Sequence, residues 1–180
     1  MLARVLLPVL LIAALTGCVQ SSQAPRLVET KSVVQLLRNE AWYRLPDVMI
    51  KGDAETEDVS TGCIGDPEGH LRAWKSSTIA LINNSFAPRA IGVADALAAT
   101  FANQGWTPVR TEGDGEVTTV LQRLNVIAVI TIDAVNKTAD HRASVRITVT
   151  GPCVVTDGPD SDEVRLLEEV AKQGRLTSEG

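Results

Sequence analysis

Apolar positions along the chain fall first into an unbroken run, then into helical spacing, and finally into alternation. Positions 5–15 form the run. Val33, Val34, Leu37 and Trp42 recur at near-helical intervals between Thr30, a predicted N-cap, and the stop at Pro46. A second helix is predicted to open at Ala87-Pro88, with Ile91, Ala94, Leu97 and Phe101 as its buried stripe and Gly105 as its end. An earlier segment, 71–82, reads as extended after a Gly-rich turn over 61–67. From Trp106 the period becomes two, and the β-branched runs 106–111, 117–123, 126–134 and 143–150 are joined by connections short enough for an antiparallel meander, one being the turn Gly113-Asp114-Gly115. Residues 126–130 contain no polar side chain, which predicts a central strand covered by helices on both faces. Val164, Leu166, Leu167 and Val170 predict a C-terminal helix, with Asp160 and Glu163 at capping-box spacing. The expected fold is therefore α+β: an antiparallel sheet of four to five strands packed on two main helices, with a C-terminal helix added and a cleaved signal peptide in front.

The first seventeen residues have the form of an export signal, with Arg4 as a short basic head, an apolar stretch and small residues at its end. Eleven apolar residues are too few to cross a hydrocarbon core of about 30 Å as a helix, which takes ~20. The segment Leu15-Thr16-Gly17-Cys18 resembles, position by position, the lipobox of bacterial lipoproteins. That resemblance implies a diacylglycerol on the Cys18 thiol and cleavage just before it by the lipoprotein signal peptidase, with Leu15, Thr16 and Gly17 as its recognition positions. Two acyl chains hold a protein stably where one is marginal. The chain then divides into a signal peptide over 1–17, a flexible linker over 18–29, one α+β domain over 30–155, and an acidic loop with a C-terminal helix and tail over 156–180. Removal of the signal leaves 163 residues, enough for one domain with its own core.

With Cys18 assigned to lipid, Cys63 and Cys153 are left as an even pair in an exported protein, which reads first as a disulfide. The alternative is a zinc site made of Cys63, His70, His141 and Cys153, but the spacings within it match none of the tight ligand pairs that bring donors together locally. No metal and no cofactor is assigned. The acidic stretch from Asp53 to Asp58 lacks the order of a calcium loop and reads as solvated. Asp157, Asp160, Asp162 and Glu163 suit the positive end of the helix that follows them. Trp42, Tyr43 and Leu45 end an apolar stripe and read as core.

Formal charge is −5, and −6 once Arg4 is removed with the signal; with a pI near 5.1, neither nucleic acid nor an anionic membrane is expected as the main partner, and lipid rather than charge is expected to hold the protein at the membrane. No catalytic residue is assigned, because neither histidine stands in a motif that carries nucleophilic, metal or phosphate chemistry. The frequency of arginine, alanine and valine suits a GC-rich genome. The order of features resembles small actinobacterial lipoproteins of the mycobacterial LppA type: a lipobox, a first helix, Gly62-Cys63 in an early strand, a helix closing at Gly105-Trp106, a meander, and Gly151-Pro152-Cys153. The resemblance implies an α+β sandwich with one disulfide on the extracytoplasmic face of the cell membrane, and it transfers no catalytic residue. The expectation is a non-enzymatic accessory or interaction domain, held on the membrane by the lipid on Cys18, whose partner is another envelope protein or the cell wall. Binding of a lipid or small apolar ligand around Trp42 and Phe101 is the alternative, and an envelope hydrolase using His70 or His141 a third reading.

Overall fold

The computed structural model describes residues 25–47, 49–50, 57–82, 90–124, 126–136 and 143–176; the signal segment, the lipobox and most of the linker lie outside the described residues. In chain order the elements are α1 (Leu27–Tyr43), β1 (Met49–Ile50), β2 (Glu57–Gly62), β3 (Leu71–Ile82), α2 (Ala90–Ala102), β4 (Thr107–Glu112), β5 (Glu116–Arg123), β6 (Val126–Val135), β7 (Ser144–Thr150), β8 (Val154–Val155) and α3 (Asp162–Leu176). The fold is α+β. All strand pairs are antiparallel, in the order β1-β3-β7-β6-β5-β4, with β2 and β8 also paired to β3. The register shows why eight strands occupy six positions. Ser76 pairs with Asp58 of β2 and Val149 of β7, so those strands take opposite edges of β3; β1 continues the β2 edge and β8 the β7 edge. The sheet is thus wider than the four to five strands expected. The additions, β1, β2 and β8, are short segments recruited by the twelve-residue β3.

Alternation sorts the sheet into two faces. Trp74, Ser76, Thr78, Ala80 and Ile82 of β3 share a face with Val145, Ile147 and Val149 of β7, Ala128, Ile130, Ile132 and Ala134 of β6, and Val117, Thr119 and Leu121 of β5. All of these are buried, and they join Leu27, Val34, Ala41, Leu97, Phe101, Val164 and Ala171 of the helices in one core. On the opposite face Arg146 and Gln122 are exposed, while Thr148, Val129, Thr131, Asp133, Thr118 and Val120 are only half-buried. Among the described residues the helices lie on one face. Central β6 is therefore not covered by helices on both sides as its unbroken apolar run predicted: Val129 packs among half-exposed threonines, where β-branched side chains serve each other across strands.

The helix ends follow local chemistry. α2 closes in a Schellman motif at the predicted glycine: Gly105 adopts φ +86, its N–H donates to Ala102 O, and the N–H of Trp106 reaches back to Phe101 O at 3.1 Å. The rings of Phe101 and Trp106 meet edge to face at 5.8 Å, supplying the apolar contact of that motif. Its predicted opening at Ala87-Pro88 lies outside the described residues. In α1 the start differs from expectation. The cap is Arg26, whose backbone N–H is accepted by Glu29 Oε2 at 3.2 Å, and Thr30 lies one turn inside, buried. Thr30 is needed for packing rather than capping, because α1 crosses the chain at Gly151: a Cβ there would stand 2.2 Å from Thr30 Cγ2 and 3.1 Å from Val34 Cγ2. Similarly, α3 begins at Asp162, with the Ser161 carbonyl accepting from Arg165 N–H at 3.0 Å, so the helix opens after Ser161 rather than at the Asp160 box.

Candidate functional site

The structure places Cys63 and Cys153 together as a disulfide, with Cα atoms 6.2 Å apart and 90 positions between them in sequence. Both thiols are consumed by that bond, so the zinc quartet has lost its thiolates. His141 lies outside the described residues. His70 is more than half exposed, with Nε2 3.7 Å from Glu68 Oε2 and Nδ1 3.3 Å from the Thr156 carbonyl, an arrangement of a surface loop rather than a nucleophile and base in a cleft. No group of three metal-ligating side chains occurs among the described residues. Tyr43 projects outward at 81% exposure, whereas Leu45 is buried and Trp42 packs on the core from its edge.

Under α1 the sequence conceals a buried polar network. Two turns of the helix point Lys31, Gln35 and Arg38 toward β2 and β3. Asp58, at the end of the stretch read as solvated, is instead 5% exposed within β2, opposite Ser76. Its Oδ1 accepts from the indole N–H of fully buried Trp74 at 2.5 Å, and its other oxygen accepts from Gln35 Nε2. A buried carboxylate is tolerated only with such partners. Lys31 Nζ lies 4.7 Å from the Trp74 ring centre and donates to the Leu167 carbonyl of α3 at 2.6 Å. Desolvation pushes the Lys31 pKa down, and the negative charge of Asp58 partly restores it; Arg38 feels the same two influences in the same order. Nearby, Ser60 N–H donates to Glu168 Oε1 of α3 at 3.2 Å, and Arg72 Nε donates to Ser60 Oγ at 2.5 Å. These bonds clasp α3 and β2 to the helix–sheet core. Lys31, Asp58 and Trp74 have too little exposure to meet a substrate, so the network organises the fold and offers no open reaction centre.

Sequence reasoning missed these residues because charge reads as surface. A signal was present. Lys31 follows Leu27 by four residues and precedes Val34 by three, which is the buried side of the helix. Trp74 heads the even-numbered inward face of β3.

Two of the surface grooves among the described residues are mainly apolar. The first, of about 370 Å³, is lined by Pro25, Glu29, Thr30, Val33, Val126, Ala128 and Pro152 beside the N-terminal half of α1. The second, of about 340 Å³, runs between the end of α1 and α2 past Arg44, Pro46, Val93 and Ala96. Phe101, named with Trp42 as a wall for an apolar ligand, is wholly buried against Trp106 and lines neither groove. No helix among the described residues is long and apolar enough to cross a membrane. Comparison of the chain with protein-family models, curated proteins and solved structures returned no match.

Proposed function

We propose that this protein is a lipoprotein of the bacterial envelope, cut before Cys18, held on the extracytoplasmic face of the cell membrane by a diacylglycerol on that cysteine, and acting there as a non-enzymatic accessory or interaction domain. The observation that carries the reading is how the three cysteines divide. Cys63 and Cys153 are bonded to each other, which suits an oxidising compartment and leaves Cys18, at the end of Leu15-Thr16-Gly17-Cys18, as the remaining thiol. The resemblance of the order of features to LppA-type lipoproteins is in keeping with it.

Replacing Cys18 by Ser tests the tether. The expected result is loss of the protein from the membrane fraction, or retention of the uncut precursor; a variant cut and membrane-bound like the parent contradicts the proposal. Crosslinking in living cells followed by affinity capture tests the role: a reproducible envelope protein or wall fragment supports it, and background proteins alone count against it. The groove lined by Val33, Val126 and Ala128 favours a second reading, binding of a small apolar ligand. Native mass spectrometry of freshly isolated protein separates the two, since that reading requires a co-purifying mass.

A further inference from the structure

The end of the domain at which the described chain begins, at Pro25, carries three of its four most exposed large apolar side chains. Lys75, Thr150 and Val129 are adjacent across β3, β7 and β6, and mark one row of the sheet. Beyond that row lie Leu71 and Val155, paired with each other, the turn carrying Ile64, and the turn from β5 to β6 carrying Leu124. The first turn of α1 reaches the same end, because Thr30 stands over Gly151, and the chain continues from there back to Pro25. Ile64, Leu124 and Val155 are 105%, 104% and 79% exposed, three of the four most exposed large apolar residues among those described. The apolar groove of Pro25, Val33, Val126 and Pro152 opens beside them. The Cys63–Cys153 bond fastens the Ile64 turn to the segment that leads into Val155.

We infer that this end is a lipid-facing surface: Ile64, Leu124 and Val155 dip into the bilayer interface that the Cys18 lipid anchors, fixing how the domain stands on the membrane. The inference rests on the lipoprotein reading above. Chain length limits how far this end can stand off the bilayer: seven peptide steps from Cys18 to Pro25 span at most about 25 Å at ~3.5 Å each. A domain so closely held meets the interface continually, and apolar tips on short turns gain there what they lose in water. The opposite end, where Tyr43 and the β1 pairing lie, points away from the bilayer.

The test uses the full lipidated protein, reconstituted in phosphatidylcholine–phosphatidylglycerol vesicles with or without bromine on the acyl chains. Leu124→Trp and Ile64→Trp add a reporter at the inferred surface, Tyr43→Trp adds one at the far end, and the parent gives the background of Trp42, Trp74 and Trp106. Brominated chains should quench the added emission of Leu124→Trp and Ile64→Trp several-fold more than that of Tyr43→Trp. Equal quenching at the two ends, on protein that sediments with vesicles and carries the diacylglycerol mass, overturns the inference and leaves the anchor standing. Protein without that mass overturns the anchor instead. A blue shift of Leu124→Trp in lipid-free protein, with a doubled hydrodynamic mass, assigns the surface to a second copy and also overturns the inference.

Discussion

Gly151→Ala puts the packing of α1 on the sheet to a quantitative test. Gly151 does not adopt a left-handed φ, so the requirement there is for space, not for backbone freedom. The new methyl would stand 2.2 Å from Thr30 Cγ2 and 3.1 Å from Val34 Cγ2, against a comfortable carbon–carbon separation of about 3.5–4.0 Å. Neither side yields easily. Gly151 N–H is bonded to Trp74 O at 2.9 Å, Cys153 is crosslinked, and α1 carries Leu27 and Val34 into the core. Retreat of the helix by about 1 Å would open gaps along its contacts that forfeit a quarter to a half of each well. We expect a loss of about 3 kcal/mol, the upper end of the range for overpacking. Thr30→Ser removes the clashing methyl while keeping the hydroxyl that donates to Arg26 O. Alone it should cost about 1 kcal/mol for one buried methyl; added to Gly151→Ala it should recover about 2 kcal/mol, a coupling far from additivity. Urea denaturation followed by tryptophan fluorescence reads this as a midpoint shift of about 1.5 M for Gly151→Ala, taking a slope of ~2 kcal/mol/M. A Gly151→Ala midpoint within about 0.2 M of the parent, or a double variant no better than Gly151→Ala, refutes the reasoning.

Three further outcomes follow from the polar network and the crosslink. Asp58→Asn leaves buried Lys31 and half-buried Arg38 without the negative charge that faces them and should destabilise by about 3 kcal/mol in urea, with Asp58→Ala no milder; a change under about 0.5 kcal/mol would show that the network is not held by charge. Because burial lowers the Lys31 pKa below its ordinary value of about 10.4, in the window between the lowered value and ~10.4 the unfolded chain holds a proton that the folded one has released. Stability therefore rises with pH across that window, and Lys31→Met should remove the rise; parallel urea midpoints for parent and variant from neutral to alkaline pH would contradict it. Cys63→Ser/Cys153→Ser should lower stability by about 4–5 kcal/mol on the chain-entropy account of a loop closed across 90 positions, a figure checked by equilibrium unfolding against the oxidised parent.

What the sequence made legible was local. The runs that became β4 to β7 stand out as β-branched stretches separated by turn residues, with β7 alternating inward and outward, and Gly105 closes α2 because no other residue takes that backbone as readily. The Cys63–Cys153 pair was readable by elimination once Cys18 had been assigned. Elements decided by distant partners were not legible. β1 and β8 are two residues each and exist only through β3, and β2 grows out of an acidic stretch because Trp74 and Gln35 satisfy Asp58. Thr30 has the chemistry of a cap, and only the approach of Gly151 shows why it lies inside the helix instead. The surface at the Pro25 end was equally hidden, since Ile64, Leu124 and Val155 are far apart in sequence and reach the same end of the domain only through the sheet register.

The most direct measurement is the intact mass of the protein isolated from its own membrane, alkylated with and without prior reduction. The expected result is a chain beginning at Cys18, carrying a diacylglycerol-sized addition on that residue, with Cys63 and Cys153 alkylated only after reduction. A chain that keeps residues 1–17, an unmodified Cys18, or alkylation of Cys63 and Cys153 without reduction would contradict it.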